Sequence, residues 1–303
     1  MQTPTIVITG TSSGFGQLAV ARFARSGWNV VATVRKESNL TAHHPFPNVA
    51  TLLLDVDDET ADSEFGELAL SQFGRIDAVI NNAGYFQGGP LEASTMDQVH
   101  RQFQTNVFGL IAVNRAFIPI LREQRSGVIV NVSSISADGG YPYTSVYQAS
   151  KAAVASLTEG LHAELAEFGV QVKALHPGSH ETKIFSKVDP AENVPADYES
   201  GWASFASLNL VRSDPAGTAE VMFQMVTDGN RKPEEGALLQ WPRRRGRSPG
   251  SSSSSAKTGT SKNSVPATAD TPVRSGTPSC LPPWPPSHKR YECIPPINSH
   301  SPL

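Results

Sequence analysis

Six short runs of apolar, mostly β-branched residues recur between Thr5 and Leu175, and stretches with helical spacing separate them. The runs are Thr5–Thr9, Asn29–Val34, Ala50–Val56, Ile76–Ile80, Gly127–Val132 and Val170–Leu175. Unbroken apolar runs of this kind belong to strands buried on both faces, which need helices above and below them. The intervening segments supply those helices. Gln17–Ser26 stops at Gly27, and a second helix carries Phe65, Leu68 and Phe73 on one side and stops at Gly74, with Asp58 or a neighbour as its cap. A long helical stretch covers Met96–Gln124. Tyr147–Phe168 carries Val154, Leu157, Leu161, Leu165 and Phe168 at helical spacing and stops at Gly169, and Asp214–Asp228 is a last helix. This alternation predicts an α/β fold, a doubly wound parallel sheet with helices on both faces.

The pattern ends before the chain does. Apolar residues make up 39% of the 303 residues, which is low for a wholly globular chain, and the shortfall is local. The 63 residues from Trp241 to Leu303 include 12 Pro, 13 Ser and 4 Gly. That composition buries too little apolar surface to offset its ordering entropy, so a disordered tail (241–303) is expected behind a folded domain (1–240). An altered reading frame beyond Trp241 would leave the same signature.

The division sharpens the charge balance. The tail holds 9 basic and 2 acidic residues, and the domain 16 basic and 26 acidic, so the domain carries −10 and the tail +7. An acidic domain argues against nucleic acid as its partner. The run Pro242-Arg243-Arg244-Arg245-Gly246-Arg247 is either a solvated segment or a basic interaction motif. Both cysteines, Cys280 and Cys293, lie in the tail, so the domain has no thiolate nucleophile or thiolate metal site, and no metal is expected. No signal-peptide pattern opens the chain and no run of 18 apolar residues occurs, so a soluble, cytoplasmic protein is expected.

The turn after the first run, Thr9-Gly10-Thr11-Ser12-Ser13-Gly14-Phe15-Gly16, opens the first helix. Glycines there let the backbone approach a pyrophosphate closely, and the helix N-terminus supplies free N–H groups. The spacing T-G-x-x-x-G-x-G resembles the short-chain dehydrogenase/reductase family. Five further segments carry that resemblance: Asn81-Asn82-Ala83-Gly84; Thr105-Asn106-Val107-Phe108-Gly109; Asn131-Val132-Ser133-Ser134; Tyr147-Gln148-Ala149-Ser150-Lys151; and Pro177-Gly178 with Thr182. It covers about residues 3 to 230. It implies a Rossmann-type fold, a nicotinamide cofactor and hydride transfer between that cofactor and a carbonyl or alcohol carbon. The chain departs from the family at Ser179, His180 and Glu181, where apolar residues are usual, and at the seventh strand, for which Ala237–Trp241 is a faint candidate.

The resemblance assigns chemistry to four residues. Tyr147 is the proton donor to the substrate oxygen, with Lys151 one helical turn away. A cation about 4 Å from a phenol, at an effective dielectric near 20, is worth about 4 kcal/mol, or about 3 pKa units, enough to bring a tyrosine near neutrality. Ser134, 13 residues before Tyr147, is the expected hydrogen-bond donor to the same oxygen, with Ser133 as the alternative. Asn106 resembles the family's relay asparagine, which holds a water leading from Lys151 to solvent.

The expected cofactor contacts are Gly10, Ser12, Ser13, Gly14, Phe15, Gly16, Arg35, Asp55, Val56, Asn82, Ala83, Gly84, Tyr147, Lys151, Pro177, Gly178 and Thr182. NAD-preferring members place an Asp at the end of the second strand, where this chain has Val34 followed by Arg35. A guanidinium there suits a 2′-phosphate, with Ser12 as a further donor, so NADPH is expected over NADH. Asp55 and Val56 resemble the pair that brackets the adenine ring. Phe86, Tyr141, Tyr143, Trp202, Phe205 and Leu208 lie in segments that line the family's pocket, which suits an apolar ketone, aldehyde or alcohol. Thr144–Gln148 and the Ala-Thr-Val-Arg end of the second strand somewhat resemble the hydroxysteroid dehydrogenase group. The competing reading is a catalytically weak NADPH-binding sensor or scaffold with a basic tail. A homodimer or homotetramer is the expected assembly.

Every cofactor and catalytic residue named stands at or before Thr182. A chain ending at Trp241 is therefore expected to bind NADPH and melt cooperatively. Trypsin resistance of the Arg243–Arg247 cluster in the full chain would show instead that the tail packs on the domain.

Overall fold

The computed structural model describes residues 2–58, 62–180, 182, 184, 187–207, 213–229 and 234–235. The chain begins with β1 (Thr5–Ile8), α1 (Gly14–Arg25), β2 (Asn29–Val34), β3 (Val49–Leu53), α2 (Asp62–Phe73), β4 (Ala78–Asn81) and a two-residue β5 (Gln87–Gly88). It continues with α3 (Met96–Phe103), a π turn (Gln104–Gly109), α4 (Leu110–Gln124), β6 (Gly127–Val132), α5 (Ser145–Leu165) and β7 (Val170–Leu175). Then follow β8 (Asp189–Pro190), α6 (Ala196–Ala206), α7 (Pro215–Thr227) and β9 (Glu234–Glu235).

Seven strands form one parallel sheet in the order β3-β2-β1-β4-β6-β7-β9, the doubly wound α/β architecture expected. The order reverses between β1 and β4, and a crevice opens at the carboxyl ends of strands at such a point. Alternate side chains of β1 feed two cores. Ile6 and Ile8 pack with Val20, Phe23, Met222 and Met225 on the α1–α7 side. Val7 packs with Phe65, Phe117, Leu121 and Ile129 on the opposite side.

Several element limits differ from the sequence expectation. The helix opening the phosphate turn starts at Gly14, three residues before Gln17, so it takes in Phe15 and Gly16. The described part of α2 begins at Asp62, and residues 59–61, between it and the expected cap at Asp58 or a neighbour, lie outside the described residues. Leu68 faces solvent at 47% exposure, whereas Phe65, three residues earlier, is buried. The long stretch Met96–Gln124 is not one helix: a π turn at Gln104–Gly109 shifts its face midway. Tyr147–Phe168 begins earlier, at Ser145, and ends in a 3-10 turn before Gly169, whose φ of 73° is the left-handed conformation that closes a helix.

The strand beyond β7 is Glu234–Glu235, paired with Ala174 and Leu175, and the expected candidate Ala237–Trp241 lies outside the described residues. The expected tail, 241–303, does so as well.

Two features carry no hydropathy signal. β5 and β8 pair as a separate parallel ladder, and buried glutamines of α3 hold both. Gln98 Nε2 donates to Pro190 O at 2.7 Å, and Gln102 Oε1 accepts from Gln87 N–H at 2.7 Å. The ladder leads into α6, where Tyr198, Trp202 and Phe205 recur at helical spacing and meet Tyr143.

Candidate functional site

The loops that follow β1, β4, β6 and β7 meet at the carboxyl edge of the sheet, because those strands are neighbours. Thr9, buried at the end of β1, ties the first two together. Its Oγ1 accepts the N–H groups of Asn82 and Ala83, each at 3.0 Å. Asn82 Nδ2 donates back to Thr9 O at 2.9 Å and Gly10 O at 3.2 Å. The approach tolerates no side chain: a Cβ on Gly10 would lie 2.8 Å from Ala83 Cα, and one on Gly16 2.6 Å from Gly10 O.

At the mouth of this turn Ser13 precedes α1 without a side-chain capping bond, and the first helical turn holds no acidic residue. Gly14, at φ 61°, faces Thr182 across the opening, where a Cβ would stand 3.7 Å from Thr182 Cβ. Pro177 O accepts from Ile135 N–H at 3.1 Å, which fixes the β7 loop to the β6 loop. Gly178 O is 3.0 Å from His180 Nδ1. His180 is buried, stands edge-on to Phe15 at 5.1 Å between ring centroids and meets Thr218 Oγ1 at 3.0 Å. This histidine replaces the family's apolar packing with a polar link between the turn and α7. Glu181 lies outside the described residues, and Ser179 Oγ is buried with no partner among them.

β2 and β3 end in register, Val34 beside Leu53, so the residues after them emerge together. Arg35 and Ser12 are exposed, and the Arg35 guanidinium has no hydrogen-bond or ion-pair partner among the described residues. Asp55 Oδ1 accepts from Asp57 N–H at 3.2 Å, closing a local turn. Val56 is half-buried and its backbone lies against Gly109 in the π turn.

The four expected catalytic residues converge, each fixed by a different contact. Lys151, 5% exposed, donates from Nζ to Val132 O at 2.8 Å and stands 5.9 Å from the centre of the Tyr147 ring. Phe86 meets that ring edge-on at 4.9 Å. Ser133 Oγ donates to Lys151 O at 2.8 Å, which engages the alternative serine in holding α5 and leaves Ser134 as the serine facing Tyr147. Ser134 Oγ accepts from Ser136 N–H at 3.1 Å and from Ser136 Oγ at 2.7 Å. The Asn106 side chain makes three bonds: Oδ1 accepts from Tyr85 N–H at 3.0 Å, and Nδ2 donates to Tyr85 O and Ser150 Oγ, both at 3.1 Å. Gly84 separates Asn106 from Lys151, since a Cβ there would lie 3.0 Å from Asn106 Oδ1 and 3.6 Å from Lys151 Nζ.

The electrostatics correct one expectation. A lysine 4 Å from the phenol was expected to pull Tyr147 toward neutrality. Burial instead pushes the Tyr147 hydroxyl above the ordinary phenol value, opposed by its hydrogen bond with Ser134. Burial also lowers Lys151 to about 8. With Lys151 itself almost sealed from water, the shared loss of solvent outweighs the attraction expected of it.

Four of the six expected pocket residues, Phe86, Tyr143, Trp202 and Phe205, fall into one cluster beside Tyr147. Tyr143, at φ 63°, stacks edge-on to Trp202 at 5.7 Å and touches Gly201 of α6. Trp202 lies parallel to Phe205 at 5.7 Å, and a Cβ on Gly88 would meet both Phe86 and Trp202 at 3.1 Å. Tyr141 is 41% exposed, and Leu208 lies outside the described residues. Sequence reading missed Thr9, Ser136 and Tyr198, which joins the cluster 6.4 Å from Tyr143. Each had a visible signal: Thr9 opens the turn motif, Ser136 is a third serine two residues beyond the pair, and Tyr198 stands one helical turn before Trp202. Among the described residues no cluster of three His, Cys, Asp or Glu could hold a metal, and no helix is long and apolar enough to cross a membrane.

The short chain dehydrogenase model matches residues 4–193. This chain belongs to the short-chain dehydrogenase/reductase family. It is similar to an uncharacterized oxidoreductase, YusZ, of Bacillus subtilis, with 37% identity over 73% of this chain and 84% of the relative. It is also similar to the 3-ketodihydrosphingosine reductase of Bacteroides thetaiotaomicron, 38% identical over 71% of this chain and 78% of that one. Among solved structures, a short-chain dehydrogenase from Streptomyces avermitilis superposes with a TM-score of 0.69, 30% identity and coverage of 78% and 88%. A 3-ketoacyl-(acyl-carrier-protein) reductase from Brucella melitensis, complexed with NADH, gives 0.67, 27%, 78% and 97%. The chain is thus an oxidoreductase of the family that works on carbonyl and alcohol groups with nicotinamide cofactors.

Burial of Lys151 has a measurable cost. A lysine lowered from 10.5 to about 8 destabilises the folded state at neutral pH by roughly 3 kcal/mol, and its bond to Val132 O returns about 1. Lys151→Met is therefore expected to raise unfolding stability at pH 7 by roughly 2 kcal/mol in urea titrations. The unfolded chain holds the extra proton between pH 8 and 10.5, so wild-type stability rises across that window and the gap closes. Equal stabilities at pH 7 would show that Lys151 carries no such cost.

Proposed function

We propose that this enzyme is an NADPH-dependent reductase that interconverts an apolar ketone or aldehyde with its alcohol, with Tyr147 as the proton donor. The observation that carries the reading is the set of buried Ser134, half-buried Tyr147 and buried Lys151 beside the aromatic cluster of Phe86, Tyr143, Trp202 and Phe205.

The turn fits a dinucleotide. The Gly10 and Gly16 approaches leave backbone where a Cβ would intrude, the α1 N-terminus is free of acidic side chains, and Thr182 closes the far side. Gly10, Ser12, Ser13, Gly14, Phe15, Gly16, Asn82, Ala83, Gly84, Pro177, Gly178 and Thr182 would hold the phosphates and nicotinamide, and Asp55 and Val56 the adenine. The exposed Arg35 just after β2, without a partner among the described residues, favours a 2′-phosphate and hence NADPH. When bound, the nicotinamide supplies or accepts the hydride.

The chain's own residues do the rest. Tyr147 delivers a proton to the substrate oxygen. Its raised affinity for that proton keeps it in the acid form that reduction requires. Ser134 donates a hydrogen bond to the same oxygen as it gains charge. Lys151 holds positive charge near the resulting phenolate. Asn106, with its side chain bonded to both backbone groups of Tyr85, positions the Gly84–Tyr85 turn beside Lys151, which is a holding role. The aromatic cluster excludes water and suits an apolar substrate. Residues 241–303 take no part in the chemistry. The sensor reading is weaker, because a pure NADPH receptor has no use for the complete Ser134–Tyr147–Lys151 set.

Two tests separate these roles. Tyr147→Phe preserves the ring packing on Phe86 and is expected to reduce turnover of a ketone panel (2-octanone, cyclohexanone, 2-decalone) below a tenth of wild type, with NADPH fluorescence binding unchanged. A mutant retaining a tenth or more overturns the proton-donor role. Arg35→Ala is expected to raise KM for NADPH about tenfold or more while leaving KM for NADH nearly unchanged, since a charge-assisted contact is lost. Equal effects on the two cofactors would show that Arg35 does not read the phosphate.

A further inference from the structure

The Ser134 hydroxyl has one proton and two lone pairs. Ser136 donates to it from its backbone N–H at 3.1 Å, and the two hydroxyl oxygens stand 2.7 Å apart, so a Ser136 proton turned toward Ser134 fills its second lone pair. Ser134 also caps the 3-10 turn Ile135–Ala137, so the turn holds Ser136 in position to chelate it. Ser136 is buried, and Ser134 Oγ is the one partner of its hydroxyl among the described residues. With both lone pairs occupied, the Ser134 proton has only the Tyr147 side of the crevice to point to. Around it stand Tyr147, Lys151 with Nζ on Val132 O, and His176 with Nδ1 3.1 Å from Ser134 O. Lys151 and His176 are engaged with backbone carbonyls, so of these three Tyr147 is the donor that could compete for the lone pairs of Ser134 Oγ.

We propose that Ser136 is a positioning residue that fixes the Ser134 hydroxyl as a donor toward Tyr147 and the substrate oxygen. This rests on the reading of Ser134 as a hydrogen-bond donor in the reaction. A serine free to rotate would spend part of its time accepting from Tyr147, turning the proton donor away from the substrate. Chelation by Ser136 removes that rotamer. It also polarises the Ser134 O–H, because each bond in a chain strengthens the next. The two serines thus form a one-way relay of hydrogen-bond direction, Ser136 to Ser134 to the reacting oxygen, with no proton leaving either serine.

The experiment follows Tyr147 ionisation directly, in protein labelled with 13Cζ-tyrosine, with its resonance among the six tyrosines assigned by Tyr147→Phe. Ser136→Ala keeps the N–H donor and removes only the hydroxyl. It is expected to move Tyr147 ionisation to higher pH, because the opposing hydrogen bond from Ser134 is weakened. It is also expected to lower kcat on 2-decalone about three- to tenfold with KM for NADPH unchanged. Ser136→Thr, which restores a hydroxyl, recovers both. The double variant Ser134→Ala/Ser136→Ala behaves as Ser134→Ala alone, because Ser136 acts through Ser134. Wild-type ionisation in Ser136→Ala, or effects of the two serines that simply add, overturns the proposal and leaves the Ser134 role standing. Unchanged Tyr147 ionisation and turnover in Ser134→Ala would instead overturn the catalytic reading of Ser134, and this inference with it.

Discussion

The hydroxyl of Thr9 accepts two backbone N–H groups from the far side of the crevice, those of Asn82 and Ala83. That pair of bonds joins the ends of β1 and β4 where the strand order reverses, the one place in a doubly wound sheet where the connecting helices diverge and leave an opening. Everything chemical is hung from this junction. The glycines at positions 10 and 16 allow it to close, and Asn82 braces it from below. Gly84, two residues on, is the spacer that lets Lys151 approach the same loop.

Behind the junction lies a buried amide network that sequence periodicity treats as polar interruption. Asn81 donates to Asn114 and Asn131, each at 2.8 Å, and Asn131 donates to Thr158 at 3.0 Å. Thr158 returns a bond to Val154 O at 2.7 Å. The network therefore spans β4, α4, β6 and α5; Tyr147 lies in α5, and Gly84, Asn106 and Ser134 stand in the segments that flank β4, α4 and β6. A largely satisfied polar network in a low-dielectric interior specifies one arrangement more narrowly than apolar packing does. It holds the two halves of the site in register where a dry core would allow sliding.

The strands were legible because buried parallel strands write themselves as continuous apolar runs, and Asn29–Val34, Gly127–Val132 and Val170–Leu175 appear with the limits read from the pattern. The site's convergence was legible through family motifs. What was hidden had physical reasons. The π turn changes the helical period by adding a residue, which no fixed period detects. Glu234–Glu235 forms an edge strand through backbone pairing with Ala174 and Leu175, which leaves no trace in hydropathy. Leu68 sits at an apolar spacing yet faces water, because α2 packs through Phe65 and Ala69. The tyrosine's ionisation was misjudged because helical spacing fixes proximity to Lys151 but not the desolvation the pair shares.

That desolvation has an evolutionary side. Lys151 sits almost sealed from water, with one carbonyl for company and its affinity for a proton weakened. A sequence drifting under the demand for a stable fold alone would find many neutral replacements at this position easier to keep than the lysine. Nor does the carbonyl of Val132 need an ammonium, since lesser donors would serve it. The residue's presence therefore marks a standing conflict between folding and chemistry, resolved in favour of chemistry at the cost of stability, and a lineage released from that chemistry would be expected to lose Lys151 early.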